Sequence, residues 1–127
     1  MILIVDDEQV ARSVATKVLE RFGFTVLCAR DGNEGVEIFS KRCSEIKAVL
    51  LDLSMPDLSG QEVLKQMREI QSNVRVILSS GYNEKNAVAR FSGMKLAGFL
   101  QKPYQPTALT DKFKDLLNSH QPIKAMG

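Results

Sequence analysis

Five short apolar runs punctuate the chain at near-even intervals: residues 2–5 (ILIV), 24–28 (FTVLC), 47–51 (KAVLL), 74–78 (VRVIL) and 97–100 (AGFL). They are largely continuous rather than alternating apolar with polar, the pattern of strands covered on both faces. Between them the apolar spacing changes to that of helices. Val10, Ala11, Val14, Ala15, Val18, Leu19 and Phe22 form one stripe, with Gly23 placed to cap its end. Val36 and Phe39 anchor a second helix, for which Asp31 is the candidate N-cap. Val63, Leu64, Met67 and Ile70 make a third, and Leu109, Phe113, Leu116 and Leu117 make the last. The segment 84–92 is a weaker helix, rich in Ala and short of large apolar side chains.

Five strand-and-helix alternations predict an α/β fold, a parallel sheet with helices on both faces joined by right-handed crossovers. No repeat, low-complexity block or interior linker interrupts the series. The expected domain is residues 1–118. Residues 119–127, with Pro and Gly and no stripe, read as a flexible tail or the start of a linker.

Composition removes function classes rather than adding any. A chain of 127 residues suits one domain with one core. Seventeen basic residues against 15 acidic give a net charge of +2, too even to point to nucleic acid. No apolar run approaches the roughly 20 residues of a membrane span, and the N-terminus has no signal-peptide pattern. Cys28 and Cys43 follow no metal spacing, so both are expected as reduced, buried or inert thiols in a cytoplasmic protein.

The chemistry lies just after the apolar runs. In an open parallel sheet, ligands sit outside the carboxyl ends of the strands, at the switch point in strand order. Asp6 and Asp7 follow the first run, Asp52 the third, Ser79, Ser80 and Gly81 the fourth, and Lys102 the fifth. Three carboxylates in one place repel unless a cation lies among them. Oxygen ligands without His or Cys favour Mg²⁺ or Mn²⁺ over zinc. Lys102 is a point charge suited to a phosphoryl oxygen, the Ser80 hydroxyl can donate to another, and Gly81 leaves space beside it. Asp52 is the better nucleophile, because the adjacent Asp6 and Asp7 more naturally hold metal.

The motifs IVDDE, LLDLSMPDLSG, ILSSGY and FLQKPY, in this order and each behind its own strand, resemble the receiver domain of two-component response regulators. The resemblance covers residues 2–118. It implies a flavodoxin-like (βα)5 doubly wound sheet of strand order 2-1-3-4-5, and an aspartyl-phosphate switch. Asp52 would accept a phosphoryl group from a phosphohistidine on a histidine kinase or phosphotransfer domain. Mg²⁺ would be held by Asp7, Asp52 and the backbone carbonyl of Ser54, with Asp6 acting through a water. Lys102 would pair with the phosphoryl group and Ser80 would swing towards it. Phe99 matches the aromatic switch position and would turn inward as the hydroxyl moves. Ser54 and Tyr82 would tune a slow autodephosphorylation. The readout surface would be the segment 84–92, the fifth strand and the last helix, and phosphorylation-dependent pairing of two copies through that segment is a further expectation. The wording SSGYNE…GFLQKPY is most like receivers at the C-terminal end of hybrid sensor kinases; a free-standing regulator is the other reading.

Two other functions compete. A Mg²⁺-dependent phosphohydrolase of the haloacid-dehalogenase type also uses an Asp behind a strand, but its second Asp would fall at Ser54, which cannot act as general acid and base. A docking module that works without phosphorylation would not need Asp6, Asp7, Asp52, Ser80 and Lys102 together. The expectation is therefore a phosphoacceptor rather than an enzyme, with no direct contact to nucleic acid or membrane. Plainer roles are assigned to Glu8, as a first-turn acid complementing a helix dipole, to Asp57, as a turn or cap residue, and to Ser79, as a strand-end polar residue.

Overall fold

In a computed structural model of the chain, the described residues are 1–53, 55, 57–81, 89, 91 and 95–118, with 117 and 118 described by backbone only. Five strands, β1 (Ile2–Val5), β2 (Val26–Ala29), β3 (Ala48–Asp52), β4 (Val76–Ser80) and β5 (Gly98–Gln101), form one sheet. Every neighbouring pair is parallel and the order is β2-β1-β3-β4-β5, as the resemblance implied. Four helices are described: α1 (Gln9–Arg21), α2 (Gly32–Arg42), α3 (Gly60–Ile70) and α4 (Pro106–Asn118). The helix expected over 84–92, apart from residues 89 and 91, and the tail 119–127 lie outside the described residues.

The two-residue period of the strands divides the core into two layers. Leu3, Val5, Val49, Leu51, Val76 and Leu78 face Phe39 of α2 and Val63, Leu64 and Met67 of α3. Ile2, Ile4, Ala48, Leu50, Ile77 and Leu100 face Ala15 and Leu19 of α1 and Leu109 and Phe113 of α4. This is why the central runs are continuously apolar: each face has its own helical cover. Such side chains contribute about 1.5–3 kcal/mol each on burial. α2 approaches β1 closely, since a Cβ on Gly35 would come within 2.9 Å of Val5.

The helix ends follow local chemistry. Gly23 has φ of 93°. Its N–H donates to the Glu20 carbonyl and that of Phe24 to Leu19, closing α1 with a Schellman motif that a side chain at position 23 would strain. Asp31 caps α2 as expected, accepting from the Glu34 N–H at 2.8 Å. Ser59 caps α3 in the same way at 3.1 Å, a Ser-x-x-Glu signal legible in the sequence.

Three expectations need correction. Strand β3 ends one residue beyond the apolar run 47–51 and β4 two beyond 74–78, because ladder pairing continues into polar residues: Asp52 is in register with Ser79. The stripe on α1 is not one face. Val10 and Val14 are 77% and 50% exposed, and Phe22, beyond the last turn, is 53% exposed. At about 100° per residue, Val14 points well away from the buried Ala15. Cys28 is exposed, since it lies on β2, an edge strand whose cover is incomplete, and Cys43, just beyond α2, is half-buried; the Cys28 thiol lies 3.2 Å from the Thr16 hydroxyl.

Candidate functional site

Parallel pairing of β1 with β3 matches Val5 to Leu51, so the next residue of each strand, Asp6 and Asp52, emerges at the same edge of the sheet. Both are 4% exposed, whereas Asp7 faces solvent. Carboxylate oxygens of Asp6, Asp7 and Asp52 lie within 4.8 Å of one another. Three oxygen donors at that spacing fit a hard divalent cation.

Lys102 enters from the end of β5. Its backbone N–H donates to the Ser80 carbonyl at 2.7 Å, and the bond to Pro103 is cis. The ammonium donates to Asp6 Oδ2 at 2.8 Å and to Glu8 Oε1 at 3.2 Å, and lies 3.5 Å from Asp52 Oδ1. Sequence reasoning therefore brought together Asp6, Asp7, Asp52 and Lys102 correctly, and missed Glu8. That residue occupies the N-cap position of α1 without a side-chain cap bond, and its carboxylate serves Lys102 instead of the helix dipole. Its place directly behind two site acids was the available signal. Arg12 was also missed: its guanidinium donates to the Asp6 carbonyl at 2.7 Å, six residues back along the chain. Nothing in the spacing marks that contact.

The electrostatics single out Asp52. Burial raises its pKa, the Asp6 carboxylate adds to the effect, and Lys102 opposes it, leaving it pushed up to about 6 from 3.8. Burial alone would lower the Lys102 pKa. The hydrogen bond to Asp6 and the charges of Asp52 and Asp6 outweigh that, so the ammonium is held above its ordinary value.

Ser80 is fully buried at the end of β4, two residues beyond Leu78 and so on that residue's face of the sheet. Leu78 is in register with Phe99, which is 7% exposed within the same core layer. The hydroxyl and the aromatic ring thus share one face on adjacent strands. Among the described residues, a Cβ on Gly81 would meet nothing within 4 Å, in keeping with the space expected there. Ser54 and Tyr82 lie outside the described residues. Asp57 is a cap, but for a distant helix: its carboxylate accepts from the N–H groups of Gly32 and Asn33 at 3.1 and 3.0 Å and from the Asn33 side chain at 2.9 Å.

Beside the acids runs a groove of about 420 Å³, lined by Val10, Ala11 and Val14 of α1 and by Pro103 and Tyr104, with Glu8 and Lys102 at its rim. Among the described residues, no helix is long and apolar enough to cross a membrane.

Residues 2–114 match the response regulator receiver domain family. The chain is 29% identical to sporulation initiation phosphotransferase F of Bacillus subtilis, covering 98% of this chain and 95% of that protein. Across other curated relatives it spans between 12% and 97% of their length. Among solved structures it is similar to the receiver domain of the hybrid histidine kinase CckA, at 33% identity and a TM-score of 0.77, covering 91% of this chain and 97% of that one. It is also similar to a chain of the CheX-CheY-BeF3-Mg complex of Borrelia burgdorferi, at 28% identity and a TM-score of 0.82, covering 91% and 87%.

Proposed function

Because the chain belongs to the response regulator receiver domain family, we propose that Asp52 is the phosphoacceptor of a two-component signalling switch. The observation that carries this reading is the placement of a buried carboxylate between two further acids and an ammonium. An oxygen of Asp52 attacks the phosphorus of a phosphohistidine; the P–O bond forms as the P–N bond breaks, and the imidazole leaves with the electron pair and takes up a proton. Lys102 neutralises the phosphoryl oxygens from the β5 side. The Ser80 hydroxyl donates to one of them, and Phe99 follows it inward. Asp7 and Asp52, with the Ser54 carbonyl and with Asp6 through a water, would hold Mg²⁺ or Mn²⁺. When bound, the ion neutralises charge that builds on the transferring group.

The raised pKa of Asp52 does not stop it acting as an anion, since the nearby ammonium and an added cation both favour ionisation. Autodephosphorylation is slow, tuned by the residues at 54 and 82. The donor is a histidine kinase or phosphotransfer domain, whose helix would cover the exposed Val10 and Val14 next to Lys102. The receiver works in the cytoplasm, either alone or as the C-terminal part of a hybrid kinase, and phosphorylation promotes pairing of copies.

Intact-protein mass spectrometry after incubation with acetyl phosphate tests the chemistry. The expected result is one added phosphate that requires Mg²⁺, is released by hydroxylamine and is missing in Asp52→Asn. An adduct that persists in Asp52→Asn would overturn the assignment. Rapid multiple turnover of a phosphomonoester would favour the hydrolase reading instead.

A further inference from the structure

At the other edge of the sheet, where β4 begins, a cavity of about 360 Å³ opens between the last turn of α3, the loop into β4 and the segment into β5. Arg68, Arg75 and Lys95 line it together with Ser72 and Asn73, and among the described residues no acidic side chain does. None of the three cations has a carboxylate partner among the described residues. The Arg68 guanidinium donates one terminal N–H to the Lys95 carbonyl, while its Nε is buried without an acceptor. Arg75 donates to the Leu116 carbonyl at 3.4 Å, which leaves the rest of its fork available.

A helix C-terminus carries roughly half a negative charge, enough to explain one cation in its last turn. Arg68 answers to that. Arg75 and Lys95 do not, and three like charges around one cavity repel unless an anion joins them. Guanidinium forks match phosphate oxygens in pairs, an ammonium adds a point charge, and Ser and Asn side chains supply neutral hydrogen bonds. The cavity also falls within the range of small-molecule pockets, about 300–1,000 Å³.

We propose that this cavity binds an oligophosphate anion, free or as the phosphate tail of a nucleotide. The site is separate from the acid cluster and does not depend on the role given to Asp52.

The test is an amide NMR titration of the whole chain with pyrophosphate and, separately, with ATP. Divalent cations are left out so that neither anion is drawn to the acids. Saturable shifts confined to residues 72–75 and 95–97 are expected, with affinity about tenfold or more weaker in Arg75→Gln/Lys95→Gln. Equal affinities would assign recognition to the phosphates alone, and tighter ATP binding would assign it to a nucleotide. Should the double variant lose its fold, Lys95→Glu reverses a charge at an exposed position and serves in its place. Shifts that drift without saturating, that centre on Lys102, or that are unchanged in the variants would overturn the proposal and leave a solvated basic surface.

Discussion

Lys102 is held by Asp6 at 2.8 Å, nearer than the 3.5 Å that separates it from Asp52. The ammonium is therefore anchored to Asp6 and stands beside Asp52. Asp6 is buried and has this ammonium as its strong cationic contact.

Removing the cation should expose that dependence. Lys102→Ala leaves two buried carboxylates facing each other, a loss on the order of 3 kcal/mol in the absence of metal. Mg²⁺ should recover more stability in this variant than in the wild type, since no ammonium then competes for Asp6. Thermal melts with and without Mg²⁺ measure both effects. A variant that melts with the wild type in metal-free buffer would show that the ion pair does not hold Asp6. NMR shifts around Phe99 on phosphorylation should be lost at the same time.

Asp52 should make stability fall with pH. Its carboxyl pKa is raised on folding, from 3.8 to about 6, so the native state holds the proton more tightly than the unfolded chain. The benefit is fully present below pH 3.8 and is lost as pH rises through about 6. In Asp52→Asn that decline disappears, and at neutral pH without metal the variant should be more stable by about 1–3 kcal/mol. Urea unfolding across pH 4 to 7 reads the slope. Parallel curves for the two proteins would mean that Asp52 titrates in its ordinary range.

Asp57→Ala should destabilise α2 although the residue is distant from it in sequence. The substitution removes an acceptor from the first two amides of that helix, and a lost cap costs about 1 kcal/mol. Slight burial works against ionisation of Asp57, but the N–H groups of Asn33 and Gly32 outweigh it and hold its pKa below the usual value. Its contribution is present above the ordinary carboxyl pKa and fades as pH falls through the depressed one. Hydrogen exchange at Gly32 and Asn33 should speed up in the variant; unchanged protection would deny Asp57 its capping role.

Val10→Lys should separate the two kinds of donor. At 77% exposure the side chain carries little of the fold, so melting should barely change. Phosphorylation by acetyl phosphate should also persist, while transfer from a phosphohistidine protein should drop at least tenfold. Equal losses with both donors would place the defect in the acid cluster rather than on a docking face.

The central sheet was legible because three of its strands are sealed on both sides and have no polar option. Asp6, Asp52 and Lys102 were legible because strand ends in this topology converge, whatever the side chains do next. Glu8 escaped because its side chain turns from the helix it precedes towards a residue 94 positions along the chain. Arg12 escaped because it acts on a backbone group that no local pattern connects to it; Asp57 was legible as a cap, but the helix it caps, 25 positions back in the chain, was not. The exposure of Val10 and Val14 was hidden by their chemistry, since helical spacing alone does not say which apolar positions the neighbouring layer reaches.

The hydrogen bond from the Lys102 amide to the Ser80 carbonyl ties the two groups that would attend a phosphoryl group to one length of main chain. Ser80 and Lys102 are thus geared rather than independent. Any shift of the β4 tip that carries the hydroxyl forward drags the ammonium's backbone with it. If Ser80 takes the role proposed for it, its displacement would pass to β5, and to Phe99 three residues before Lys102, through this bond and the β4–β5 ladder together.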